Sequence, residues 1–325
     1  PGWHSAGVYS LGAAQIALKA QGVALGRRIV LTGSGPLLTL VGAQLVKAGA
    51  DVAAVLDTSS WHQQMRGLWK LAARPFVALR GLALRARLGG RYHAGATLGR
   101  IEADGKSVTA MRWRDAGGRE RLTSCDTIGM GWHLRAETHL ADLAGCAFTY
   151  DEQWRQWLPK TDQMGRAGNG VYLAGDGVRL LGADGAEITG RLAAAACLAD
   201  LGHPARSASA DLRKLARLER FALGLACAFP WPGAMVRALP DDAVVCRCEN
   251  VTAGAVRDSA GFGGEANRVK SLSRVGMGRC QGRFCQLAAV ELVAAQAGCT
   301  PDAVGRFRGQ APVRPAPIGA FLRNS

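Results

Sequence analysis

Residues 28–57 read RIVLTGSGPLLTLVGAQLVKAGADVAAVLD. Ile29–Thr32 is the apolar, β-branched composition of a buried strand, and it runs into the turn Gly33-Ser34-Gly35 and then a helix. A second buried strand, Asp51 to Leu56, ends at Asp57, about twenty residues after the turn. Strand, glycine turn, helix, strand and terminal acid in this order form the βαβ dinucleotide pattern. Gly33 permits the tight turn, and Gly35 lets backbone approach a pyrophosphate at the helix N-terminus. Leu38 stands at the third glycine position, so Gly42, one turn later, is expected to provide the close helix–strand packing. Asp57 is placed to bind a ribose 2′-hydroxyl, which favours NAD over NADP. A lone Gly-x-Gly is a weak signal, so three alternatives stay open: NAD as a hydride carrier, another adenine nucleotide kept for structure, or an empty site.

Further along, Gly170-Val-Tyr-Leu-Ala-Gly175-Asp176 reads as a four-residue strand, followed by a helix over Glu187 to Leu201. Gly175 lets the chain pass close to a ligand, and the Asp176 carboxylate can accept from a sugar-alcohol hydroxyl. The alternative is an ordinary strand that ends at the surface on an N-cap Asp.

Near the C-terminus the cysteines cluster as Cys246-Arg-Cys248, 31 intervening residues, then Cys280-Gln-Gly-Arg-Phe-Cys285. Four thiolates in two close pairs suit either tetrahedral zinc or a two-iron cluster, although a C-x-C pair is awkward for structural zinc. Gly276, Gly278 and Gly282 fit a tight loop whose N–H groups approach cluster sulfides. Between the pairs, Thr252 and Val256 followed by Gly261–Gly264 predict a capped helix and a turn.

The stretch CRCENV with SLSRVGMGRCQGRFC resembles the bacterioferritin-associated-ferredoxin type of [2Fe–2S] domain, with Ser273 where relatives usually carry Thr. That resemblance favours [2Fe–2S] over zinc and makes Cys246, Cys248, Cys280 and Cys285 its ligands. VYLAGDG is similar to the second FAD motif of the pyridine-nucleotide–disulfide oxidoreductase fold, which implies that Gly175 and Asp176 contact a flavin. The segments PGWHSAGVYSLGAAQ, LTGSGPLLTLVGAQLVKAGADVAAVL and VYLAGDGVRLLGADGAEITGRLAA together resemble one family, the flavin and Fe–S subunit of opine oxidases, hydrogen cyanide synthase and hydroxyproline or proline dehydrogenases.

The resemblance implies an α/β fold of Rossmann-like FAD/NAD(P)-binding domains, incomplete at the N-terminus, with a small α-rich [2Fe–2S] domain at the C-terminus. It divides the chain into a crossover from a missing or truncated FAD domain (1–26), an inserted NAD(P)-binding-like domain (27–140), a returning FAD-binding segment (141–205), a helical linker (206–240), the [2Fe–2S] domain (241–300) and an extended tail (301–325). It implies electron relay from a second flavoprotein dehydrogenase subunit that oxidises an amino acid or opine, toward a small third subunit or a respiratory-chain acceptor. The family's first glycine-rich FAD loop would lie before Pro1, so FAD binding by this chain is expected to be weak or absent. Rival readings are a self-sufficient NAD(P)H-linked flavin/Fe–S reductase and a non-catalytic metal-binding scaffold.

The 325 residues allow about two domains, and 48% hydrophobic composition supports a sizeable core. A net charge of +15 is spread along the chain without a nucleic-acid motif, so nucleic acid is excluded as a partner. No apolar run is long enough to span a bilayer and no leader opens the chain, which points to the cytoplasm or the inner face of the cell membrane. Nine cysteines without a secretion signal argue against a disulfide framework; of Cys125, Cys146, Cys197, Cys227 and Cys299, most read as core fillers. No C-x-x-C or C-x4-C pair lies in the nucleotide segments, so disulfide-reductase chemistry is excluded. The histidines (His4, His62, His93, His133, His139, His203) share no ligand spacing, and no catalytic acid or base stands out. Trp61 to Arg91 mixes Trp61, Leu68, Trp69, Leu79 and Leu84 with Arg66, Lys70, Arg74, Arg80, Arg85 and Arg87. It reads as a nucleotide-domain helix with snorkelling arginines, the alternative being a basic amphipathic helix pair that meets a membrane or partner.

Overall fold

Alternation along one strand sets the layers of the N-terminal part. In β-structure successive side chains point to opposite faces. Ile29 and Leu31 accordingly join a cluster with Leu11, Leu38, Val41 and Leu45, whereas Val30 joins Val8, Ile101, Met111 and Trp113. A computed structural model describes residues 1–132 and 134–321; His133 and residues 322–325 lie outside the described residues. The chain divides into two compact units, Pro1–Leu134 with Ala216–Pro232, and Arg135–Leu215 with Gly233–Ser325.

The first unit runs β1 (Val8–Ser10), α1 (Leu11–Gln21), β2 (Arg28–Gly33), α2 (Pro36–Lys47), β3 (Asp51–Asp57), α3 (Trp61–Arg66), α4 (Leu68–Leu71), α5 (Pro75–Ala86), β4 (Tyr92–Ala94), β5 (Thr97–Ala103), β6 (Val108–Arg114), β7 (Glu120–Ser124) and β8 (Thr127–Gly131). Strands β1-β8-β2-β3-β4 form a parallel sheet, and β5-β6-β7 form an antiparallel one. Helices α1 and α2 cover one face of the parallel sheet and the antiparallel sheet supplies the core of the other, as parallel strands buried on both faces require. The β2–α2–β3 crossover is the βαβ unit expected from the sequence. Leu38 is fully buried, and a Cβ at Gly42 would stand 3.3 Å from Leu88 and Val55, so Gly42 does make the close helix–strand contact.

The second unit runs α6 (His139–Leu143), β9 (Phe148–Asp151), β10 (Gln156–Pro159) and α7 (Gly182–Asp200); then α8 (Ser209–Ala228), whose latter part belongs to the first unit; then α9 (Gly233–Arg237), β11 (Val244–Cys246), β12 (Val251–Thr252), α10 (Ala253–Ala260), α11 (Ala266–Ser273), α12 (Gln286–Ala297) and α13 (Pro301–Val304). Thr252 caps α10 by accepting from the Ala255 N–H, as its sequence context predicts. In α12 the buried Glu291 carboxylate accepts from Arg155 at 2.6 Å and Arg237 at 2.9 Å, which neutralises a charge that could not otherwise be buried. Two local expectations are corrected. Val171–Ala174 is not a strand: among the described residues it makes one bridge, Tyr172 with Arg166, and without a ladder an extended apolar run is not a strand. The helix expected from Glu187 starts at Gly182.

Candidate functional site

The cysteines are brought together by the turns that flank α10–α12. Cys246 ends β11 and is buried; Cys285 precedes α12 and is buried; Cys280 is half-buried and Cys248 exposed. The four thiols converge: Cys246 meets Cys285 and Cys248 meets Cys280, while Cys280 also acts on Cys285 and Cys246 on Cys248. The Cys285 thiol, then the N–H groups of Gly276, Glu249 and Cys248, hold Cys246 down to about 6 against the effect of burial. Cys285 moves the other way, pushed up first by Cys246 and then by burial. Gly278 is required by proximity, since a Cβ there would lie 2.3 Å from the Cβ of Cys248. Gly276 and Gly282 both take positive φ and lie against the buried ring of Phe307. Among the described residues no three His, Cys, Asp or Glu side chains form a ready single-ion site.

The flavin-motif residues lie in the same unit. Gly175 has φ +59° and its N–H donates to Thr189 Oγ1 at 2.9 Å, which fixes the turn into α7. Asp176 is exposed, and its carbonyl accepts from the Glu137 N–H at 2.8 Å. Glu137 also receives Arg283, at 2.5 and 3.0 Å, and Arg283 sits inside the Cys280–Cys285 loop. Arg135 donates to Gln286, next to Cys285, at 3.1 Å. Glu137, Arg135 and Arg283 thus link the Gly175–Asp176 turn to the cysteine loop. Arg283 had a sequence signal, its place between two cysteines; Arg135 and Glu137 had none.

At the glycine turn, Gly33 closes against β8: Ser34 N–H donates to Gly131 O at 3.1 Å, and a Cβ on Gly33 would come within 1.8 Å of that oxygen. Gly35, φ +99°, starts α2, whose first residue Pro36 has no N–H to offer an anion. Asp57 is fully buried. Its carboxylate accepts from Tyr92 O–H at 2.5 Å and from Ser59 N–H at 2.8 Å, and Gln64 in turn donates to Tyr92. A ribose hydroxyl would have to displace Tyr92 to reach it. Among the cysteines expected as core fillers, Cys125 is buried and Cys146, Cys197 and Cys227 are half-buried, but Cys299 is exposed just after α12, where the helix has already ended.

Residues 243–323 match the family described as the sarcosine oxidase A3 domain. The chain is 34% identical to an opine oxidase subunit of Rhizobium meliloti, over 99% of this chain and 63% of that protein. It is 31% identical to the HcnB subunit of hydrogen cyanide synthase from Pseudomonas aeruginosa, over 99% of this chain and 72% of that one. Of solved structures, L-proline dehydrogenase from P. horikoshii is similar with a TM-score of 0.64 and 18% identity, over 95% of this chain and 53% of that chain. At that identity the likeness is one of fold. The chain spans less than two thirds of the length of the opine oxidase protein it matches.

Proposed function

Because the chain belongs to the family that holds these opine oxidase and hydrogen cyanide synthase subunits, we propose that it is an electron-relaying subunit of a flavin-dependent oxidoreductase. A second flavoprotein subunit takes a hydride from the carbon that bears the nitrogen of an amino acid or opine, leaving an imine, and this chain accepts the electrons and hands them on in the cytoplasm. Cys246, Cys248, Cys280 and Cys285 would hold a [2Fe–2S] cluster, which when bound supplies one-electron carriage at a potential set by its surroundings.

The observation that carries this reading is the convergence of four thiols from two separate segments. Structural zinc draws four thiolates to one tetrahedral centre, whereas two irons take two thiolates each. Convergence of the four thiols suits either, and the C-x-C spacing of Cys246 and Cys248, awkward for structural zinc, favours the second. The N–H groups that face Cys246 would stabilise a thiolate ligand, and Arg135 and Arg283 offset the negative charge that four thiolates bring. Gly175 and Asp176 would lie against the flavin ribityl chain, and the turn of Gly33 and Gly35 would face an adenine nucleotide. Asp57 then serves the fold and not the nucleotide.

Visible absorption and EPR spectra of anaerobically purified protein, before and after dithionite, test the proposal. A brown protein with a rhombic signal on reduction, lost in Cys280→Ser, is expected. A colourless protein with stoichiometric zinc would overturn it, and stoichiometric FAD with NADH oxidation by this chain alone would replace relay by a self-sufficient reductase.

A further inference from the structure

Helix α5 has the wrong surface for a helix that stays in water. None of its twelve residues is buried. Of its apolar side chains Leu84 alone joins the core cluster below, while Phe76 is 85% exposed, Leu79 60% and Leu82 59%. Phe76, Leu79 and Ala83 recur at helical spacing along the outward face, with Arg80 and Arg87 beside them. In the turns before it, Trp69 and Met65 are likewise exposed. A short helix is marginal unless an apolar face is covered, and single exposed apolar residues are ordinary whereas a run of large ones is not.

The charge around these residues identifies what covers them. Residues 58–101 contain eight Lys and Arg and no Asp or Glu. No ion pair therefore forms within the segment, and its arginines either stack, as Arg85 does between Trp61 and Tyr92 at 3.9 Å from each ring, or face outward. Exposed large apolar residues, Trp and Phe among them, interspersed with cations and without an acid, are the composition of a segment lying in a lipid interface. Arg, Trp, Phe and Met are also enriched at protein interfaces, but a protein partner would need fixed acids matched to each cation, whereas lipid phosphates move laterally to meet them. We propose that α5 and the turns leading into it dock on an anionic bilayer surface, with Phe76, Leu79 and Leu82 inserted among the acyl chains and Arg80 and Arg87 at the phosphates. The inference stands whether or not the cysteines hold iron.

Flotation of the full chain with phosphatidylcholine vesicles containing about 30% phosphatidylglycerol, beside pure phosphatidylcholine vesicles, tests it. The protein should float with the anionic vesicles and not with the neutral ones, and raised salt should weaken binding. Arg80→Gln with Arg87→Gln should weaken binding roughly 30-fold, and Phe76→Ser with Leu79→Ser should abolish it, with unchanged circular dichroism in both. Failure of the wild type to float, or equal flotation by the variants, overturns the proposal. So does loss of assembly with the partner subunit in the Phe76/Leu79 variant while vesicle binding persists, which would assign the surface to protein.

Discussion

At the scale of single residues, Asp57 carries two different arguments. Its position after β3 suits a ribose contact, yet its carboxylate is buried and satisfied by Tyr92 and Ser59. Burial is the leading influence and raises its carboxyl above the ordinary 3.8, against the hydrogen bonds from Tyr92 and Ser59 and the charge of Arg85. A carboxyl whose folded value is raised binds more protons folded than unfolded, so its contribution is complete below 3.8 and is lost as pH rises through the folded value. Asp57→Asn removes that loss. The unfolding free energy of the variant relative to wild type should therefore improve as pH rises, in urea titrations at stepped pH; a difference constant with pH would count against it. Tyr92→Phe leaves the carboxylate short of a donor and should cost about 1–3 kcal/mol in the same assay. At the cysteines, Gly278→Ala forces a methyl into the Cβ of Cys248 and should prevent iron incorporation, read as loss of visible absorbance with secondary structure retained.

At the scale of elements, two glycines make opposite predictions from the same substitution. Gly33 ends β2 with φ +140° and its neighbour across the sheet is the Gly131 carbonyl. Gly33→Ala must part β2 from β8 and should destabilise by more than about 3 kcal/mol, or leave the first unit unfolded. Gly81 lies mid-helix in α5 with open space where a Cβ would go. Gly81→Ala should stabilise by about 0.5–1 kcal/mol, because alanine loses less conformational freedom in a helix. A shift in urea midpoint to higher concentration for Gly81→Ala, with unchanged slope, is the outcome to look for. The βαβ unit was legible because each part has its own local signal: apolar β-branched strands, a glycine turn, and a terminal acid. The 171–174 run was misread because four apolar residues state only that they are apolar. Whether they form a strand depends on a neighbour that their own sequence does not encode.

At the scale of the whole molecule, the C-terminal module is held by contacts that converge on α12, among them the Glu291 pairing with Arg155 and Arg237. If the cysteines hold iron, metal binding and folding of this module are one equilibrium. Removing iron with a chelator under reducing conditions should lower the melting of the second unit in calorimetry and leave the first unit's transition in place; identical traces with and without iron would deny the cluster a structural share. The βαβ core, the two cysteine pairs and the capped helix between them could be read from the order of residues alone. That Asp57 faces Tyr92, that Glu137 ties the Asp176 turn to Arg283, and that α5 leaves Phe76 and Leu79 exposed emerged only from the folded chain. The division has a physical cause: turns, caps and hydrophobic periods arise from neighbours in the chain, whereas burial and side-chain pairing are decided by residues that meet only after the chain has folded.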